Sequence, residues 1–156
     1  MSMSSVKIGL VSDTHGLLRN QVKQLLQGCD LIIHAGDIGN PQVLQELDHI
    51  APTTAVRGNV DVGPWVNSLK ITERLNVDKW SIVVVHNIND LNPLTEQVDL
   101  VIFGHSHRFT EEKRDGIFFV NPGSAGPRRF TLPITMAILT LDDKATVEKV
   151  ILKSEA

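Results

Sequence analysis

Five short clusters bring together residue types that bind divalent metal ions: Asp13-Thr14-His15, Gly36-Asp37, Gly58-Asn59, His86-Asn87 and Gly104-His105-Ser106-His107. Each follows a run of apolar residues of strand length, so each falls where an extended segment is expected to end. In an extended segment alternate side chains point the same way. Asp13 with His15, and His105 with His107, would therefore each present two ligands from one backbone. Glycines before Asp37, Asn59 and His105 let the chain turn sharply and approach a neighbour closely.

Together the clusters offer two carboxylates, four imidazoles and one amide. That is too many donors for one tetrahedral zinc, and no thiolate is among them. The set suits two divalent ions. Mixed oxygen and nitrogen ligands fit manganese, iron, nickel or zinc, with magnesium less comfortable because it prefers oxygen. Two such ions about 3.5–4 Å apart, bridged by a carboxylate and a hydroxide, clamp a phosphate ester for in-line attack. Taken singly, an Asp after a strand is usually a cap or turn former and a His in an apolar run a hydrogen-bonded core residue. Seven such residues at the ends of successive strands are better explained by a shared metal site.

The elements that must position them read as follows. Val6 to Val11 is a strand, and Leu17 to Leu26 spaces its leucines and Val22 at helical intervals. Asp30 to Ala35 is a second strand, Pro41 opens a helix with Val43, Leu44, Leu47 and Ile50 on one face, and Thr53 to Arg57 is a third strand. This β-α-β-α-β order predicts a parallel sheet with its active edge at the carboxyl ends of the strands. Beyond it, Ile71–Val77 with Trp80–His86, Phe109–Arg114 with Ile117–Val120, and Ile134–Leu141 with Thr146–Leu152 read as antiparallel hairpins. One helix, at about Asn92 to Gln97, precedes a strand from Asp99 to Phe103. The second half thus reads as a second, mixed or antiparallel sheet. Two sheets packed face to face with helices outside give a four-layer α/β/β/α sandwich, an α/β (α+β) fold in one domain spanning residues 1–156.

The chain has 156 residues, 42% of them hydrophobic, enough for a sizeable core. A formal charge of −3, from 15 basic and 18 acidic residues, supplies no clustered basic excess, so neither nucleic acid nor an anionic membrane is an expected partner. The start, Met1-Ser2-Met3-Ser4-Ser5, lacks the basic and long apolar segments of a signal peptide, and no run approaches the roughly 18 apolar residues of a membrane span. The expected location is cytoplasmic. Cys29 is the only cysteine, cannot form an internal disulfide, and reads as a core residue. An exposed hydrophobic loop or edge strand could support a homo-oligomer.

The five clusters, in this order, resemble the pattern of the calcineurin-like metallophosphoesterases: D-x-H, G-D, G-N, a strand-terminal H, and G-H-x-H. Asn121-Pro122-Gly123-Ser124 is similar to a segment of the small single-domain bacterial and archaeal phosphodiesterase branch, so the resemblance runs from position 6 to about 126. It implies two metals, often manganese, in a double-sheet sandwich. Carried over by position, it implies that Asp13, His15 and His107 hold the first metal, that Asn59, His86 and His105 hold the second, and that Asp37 bridges them. The implied reaction is hydrolysis of a small phosphodiester by a metal-bridging hydroxide, with Asp37, Asn59 and His86 at the catalytic centre. The alternatives are a non-catalytic protein-binding scaffold, as in a retromer subunit of similar fold, or a phosphomonoesterase or nuclease of the same family.

Two departures stand out. Larger family members carry a histidine directly after G-N to protonate the leaving oxygen, whereas this chain has Val60 followed by Asp61. Valine cannot donate a proton, so good leaving groups such as aryl esters are expected to be favoured. Relatives more often have glycine after the strand-terminal histidine, where this chain has Asn87. Asn87, Asp61 and Arg128 are the candidate substrate-binding residues, Arg128 because Arg128-Arg129 could bring positive charge to an anionic substrate. By alternation with Asp37, His34 points to the other face of its strand and reads as core or as support for the ligands. His49 reads as a solvated helix position.

Overall fold

The apolar run near the amino terminus becomes β1 (Val6–Val11), whose last four residues are buried, as a strand covered on both faces requires. The structure is a computed structural model describing residues 5–91, 97–129 and 131–153. β2 (Leu31–His34) and β3 (Thr53–Ala55) lie parallel to β1, with Leu10 opposite Ile33 and Ile33 opposite Thr54. Between them run α1 (Asn20–Leu26) and α2 (Pro41–Ile50). α2 starts where Asn40 accepts a hydrogen bond from the Val43 N–H and Pro41 takes the first turn, whose amide needs no partner.

α1 is shorter than the leucine spacing predicts. The Leu17 N–H closes a turn on the Thr14 carbonyl, and extended Arg19 sends its guanidinium to the carbonyls of Ala125 and Gly126. Residues 17–19 thus serve the loop after β1 before the helix begins.

β4 (Thr72–Val77), β5 (Trp80–Val85), β6 (Leu100–Ile102), β7 (Thr110–Arg114) and β8 (Ile117–Asn121) make a second sheet in the order β4-β5-β6-β8-β7. β5, β6 and β8 are parallel, while β4 and β7 pair antiparallel at the edges. The expected last hairpin exists, as β9 (Thr135–Leu141) and β10 (Ala145–Ile151), but it belongs to the first sheet, ordered β10-β9-β1-β2-β3. β9 has the composition to fill that place, because it must be apolar on both faces. Ala137, Leu139 and Leu141 enter the core between the sheets, while Met136 and Ile138 face the helical side.

The inter-sheet core packs Ile8, Leu10 and Ile33 against Ile82, Val84, Leu100 and Ile102. A second cluster buries Val22, Leu26, Val43 and Leu47 of the helices on the outer face of the first sheet, with Cys29 among them. Outside the second sheet, Val83, Val85, Val101 and Phe119 are covered by Val98, Phe103, Ile88 and Leu91. Among the described residues only a 3₁₀ turn, Ile88–Asp90, stands where the fourth helical layer was expected. The helix expected at Asn92 to Gln97 falls largely on residues 92–96, outside those described, and Gln97 is not helical. Among the described residues, no helix is long and apolar enough to cross a membrane.

The consequence for chemistry is directional. Strands β1, β2 and β3 of one sheet and β5, β6 and β8 of the other deliver their carboxyl ends to the same rim. The sheets are stitched there by the His86 Nδ1, 2.7 Å from the Ala35 carbonyl.

Candidate metal centre

All seven sequence-derived donors meet at this rim. Asp13, His15 and His107 place one ligand atom each within 4.8 Å of one another, and Asp37, His86 and His105 form a second such group. Asn59 joins the second, its Oδ1 lying 2.9 Å from His86 Nε2 and 3.1 Å from His105 Nδ1. Asp37 Oδ2 lies between the groups, 3.2 Å from His86 Nε2 and 3.9 Å from His15 Nε2. Asp13, Asp37, His86 and His107 are buried, whereas Asn59 and His105 are exposed, so the centre opens to solvent on their side.

Strand alternation is not what aims these side chains. Asp13, His15, Asp37, His105 and His107 all have positive φ, between 48° and 75°. The chain beyond β1 and β6 therefore places left-handed residues at these ligand positions rather than running extended, which corrects the expected geometry of Asp13 with His15 and of His105 with His107. Non-glycine residues in this region are uncommon, and strain of order 1–3 kcal/mol each persists only where surroundings enforce it.

Hydrogen bonds provide that enforcement. Asp13, His15 and Gly16 donate their N–H groups to the carbonyls of Gly36, Asp37 and Ile38, which zips the first ligand loop to the second. Asp13 Oδ2 accepts from the Ser12 hydroxyl at 2.7 Å and the His105 N–H at 3.2 Å. Asp37 Oδ1 accepts from the Val60 N–H at 3.0 Å. Asn121 donates to the Gly104 carbonyl and the Ser106 hydroxyl, and Ser124 to the Asp13 carbonyl. Close approach calls for glycine in these loops: a Cβ at Gly58 would overlap the Asp37 backbone, and one at Gly104 would overlap the Ser12 hydroxyl.

The atoms left over fit cations. Buried Asp13 Oδ1, His15 Nε2 and His107 Nδ1 have no hydrogen-bond partner, an expensive state for buried polar groups. In the second group, the His86 Nδ1 proton goes to the Ala35 carbonyl, so neutral His86 turns a lone pair at Nε2 toward the oxygens of Asn59 and Asp37. A positive charge between them removes that repulsion, and a backbone carbonyl fixing the tautomer of a metal-binding histidine is the usual supporting arrangement. Without an ion, a proton on His86 Nε2 is the alternative source of that charge, and the protonation tendencies favour it. Burial alone would lower the His86 pKa, but the Asp37 hydrogen bond, the charge on Asp13 and the Ala35 carbonyl hold it above the ordinary histidine value. Burial alone would raise Asp37, yet its bonds from His86 and the Val60 N–H hold it below the usual carboxylate range.

His34 is buried beneath the centre with both ring nitrogens assigned by their neighbours. Nδ1 accepts from the Gly36 N–H at 3.1 Å. The Thr14 hydroxyl donates to the Ile38 carbonyl and so accepts from His34 Nε2 at 2.9 Å. Complete burial pushes the ring pKa down to about 4, against the opposing pull of Asp13 and Asp61. Cys29 and His49 lie away from the centre, the thiol buried against the helices and the imidazole exposed on α2.

The three candidate substrate residues part company. Asn87 lies beside the centre in a groove of about 290 Å³ lined also by Arg57, Asn59, Ile71, His86 and Asp90, with its Oδ1 capping the following 3₁₀ turn through the Asn89 N–H. Asp61 points into the fold. It is 1% exposed, and its carboxylate accepts the N–H groups of Gly39 at 3.0 Å and Gly58 at 2.9 Å, tying the second and third ligand loops together. Arg128 is exposed and lines a different cavity, with Thr131, Pro133 and Ile134. Arg57 went unnoticed in the sequence, its only signal a cation directly before Gly58.

The sequence profile of the calcineurin-like phosphoesterase superfamily domain matches residues 6–144. A probable metallophosphoesterase of Methanocaldococcus jannaschii is 33% identical over 154 residues, covering 88% of this chain and 77% of its own. The phosphodiesterase YfcE of Escherichia coli is 25% identical over 183 residues, covering 93% and 97%, and a solved structure of it superposes with a TM-score of 0.71 over 86% of this chain and 88% of its own. Vacuolar Protein Sorting 29 from Cryptosporidium parvum superposes with a TM-score of 0.76 over 96% and 99% at 16% identity, a likeness of fold.

Proposed function

The chain belongs to the calcineurin-like phosphoesterase superfamily, and from that membership we propose that it is a phosphodiesterase working at a two-metal centre. The observation that carries the reading is the set of buried, unpartnered donor atoms on Asp13, His15 and His107 beside the Asn59, His86 and Asp37 atoms that face one another without a cation. Asp13, His15 and His107 would hold one divalent ion and Asn59, His86 and His105 the other, with Asp37 shared. Manganese is the expected ion, and iron, nickel and zinc suit the same donors.

When bound, the two ions would supply an activated hydroxide and neutralise charge on the phosphoryl oxygens. The chain's own residues set the geometry: Asp37 is anchored through one oxygen to the Val60 N–H, leaving the other for the centre. The exposed side, at Asn59 and His105, leaves room for an ester. Position 60 carries no proton donor, so the leaving oxygen departs without help from a side chain there, which favours aryl over alkyl esters. The substrate is accordingly a small phosphodiester, and the protein is expected to act in the cytoplasm without nucleic-acid or membrane partners.

A scaffold role has one observation in its favour, the fold shared with the sorting protein. Retention of all seven donors favours the enzyme. A panel of aryl and alkyl phosphodiesters and monoesters assayed with manganese, nickel, magnesium and zinc tests the reading. Metal-dependent cleavage led by aryl diesters supports it, and no hydrolysis with any ion overturns it.

A further inference from the structure

We propose that Arg57 is a specificity-determining residue that recognises a second anionic group on the substrate, so that the preferred phosphodiester carries a phosphate or carboxylate on the arm lying in the groove beside Asn59 and His86. This rests on the hydrolase reading above. The groove leads away from the second group of metal donors and is walled by Arg57, Ile71, Asn87 and Asp90. Arg57 is half-buried and held in place twice: its backbone N–H donates to the Lys70 carbonyl at 2.8 Å, and its Nε donates to the Asp61 carbonyl at 3.2 Å. With Nε engaged, the two terminal nitrogens are left to act as the donor fork. No carboxylate among the described residues pairs with it.

A partly desolvated guanidinium without a counter-ion is costly unless an anion visits it, and its planar fork matches phosphate and carboxylate oxygens. Asp90 lines the same groove but is exposed to solvent, its N–H closing the turn on the Asn87 carbonyl. Arg57 is therefore the dominant charge of the inner wall. It stands beside the seven donors rather than among them, which points it at the substrate's arm instead of the scissile phosphoryl group.

Two nucleoside aryl phosphodiesters that differ only by a second phosphate on the sugar test this with manganese-loaded protein. The wild type is expected to show a KM about tenfold lower for the doubly charged ester. Arg57→Gln is expected to erase that difference with kcat within about twofold on both, and Arg57→Lys to restore part of it. Calorimetry with the corresponding nucleoside bisphosphate and monophosphate, which offer no diester to cleave, reads the same preference without turnover. Equal KM values in the wild type, or equal losses of kcat on both esters in Arg57→Gln, would overturn the inference. If neither ester is cleaved while the Arg57-dependent binding preference persists, recognition by Arg57 stands and the hydrolase reading falls. Equal binding of both nucleotides rejects the role of Arg57 whatever happens to hydrolysis.

Discussion

The carboxylate of Asp61 binds the backbone amides of Gly39 and Gly58 at once, at 3.0 and 2.9 Å, from a position with 1% exposure. One side chain thereby holds the loop carrying Asp37 against the loop carrying Asn59. Asp61→Asn keeps the shape but turns an amide N–H₂ toward one of two N–H donors. A loss on the order of 1–3 kcal/mol is expected, seen as a lowered thermal midpoint for the metal-free protein, since a buried donor is left unsatisfied. A midpoint equal to the wild type's would show that the two loops hold together without it.

Val60 is expected to govern leaving-group preference without affecting folding. Its side chain is 47% exposed, and the contact it makes to Asp37 comes from the backbone N–H, which any residue retains. Val60→His is expected to raise the ratio of alkyl to aryl diester turnover by about tenfold or more, within the range of general acid catalysis, with stability within about 0.5 kcal/mol of wild type. An unchanged ratio would mean that position 60 does not reach the leaving oxygen. By the same reasoning, wild-type protein that cleaves glycerol phosphate as fast as an aryl diester contradicts the proposed preference.

His34 gives the fold a pH dependence whose sign follows from its bonds. Protonation at Nδ1 sets two donors against each other at the Gly36 N–H, and the ring pKa falls from 6.5 to about 4. Above pH about 6.5 both folded and unfolded chains carry neutral His34, and the full stability is present. As pH falls toward 4 the unfolded chain takes up a proton that the folded chain refuses, so stability drops by up to roughly 3 kcal/mol. Denaturant unfolding of the metal-free protein between pH 4 and 7 is expected to show a slope in the wild type that is shallower by about one proton in His34→Gln. Identical slopes would contradict the buried neutral ring.

The seven donors and the strands before them were legible because both follow local rules: apolar runs of strand length, and polar residues where those runs stop. Longer-range relations were not. β9 joins β1 across more than a hundred residues, and a hairpin reads the same whichever sheet receives it. The ligand loops were expected to be extended because alternation is the simplest way to aim Asp13 with His15. The structure instead uses left-handed residues held by amide-carbonyl bonds from Asp13, His15 and Gly16 to residues 36–38. Asp61 and Arg57 illustrate the same limit. The sequence offers Asp61 as a substrate candidate and the structure makes it a brace, while Arg57 carries little local signal yet lines the groove, because side-chain direction at a turn depends on tertiary contacts.

Metal removal is expected to loosen the rim first. Chelation leaves Asp13 Oδ1, His15 Nε2 and His107 Nδ1 buried without partners. Adding manganese at about a thousandfold over its dissociation constant is expected to raise stability by about 4 kcal/mol, measurable by thermal denaturation with and without chelator. No shift would mean that the donors hold no ion at that concentration.

Manganese content per chain, measured together with cleavage of an aryl phosphodiester in wild-type protein and in Asp37→Ala, bears most directly on the two-metal reading, because Asp37 Oδ2 lies within 4 Å of an imidazole from each donor group. Two ions per wild-type chain are expected, with fewer ions and activity below about one per cent of wild type in Asp37→Ala, a larger loss than the 10–100-fold typical of residues that merely support a ligand. One ion or none in the wild type, or unchanged cleavage by Asp37→Ala, would contradict a bridged two-metal centre.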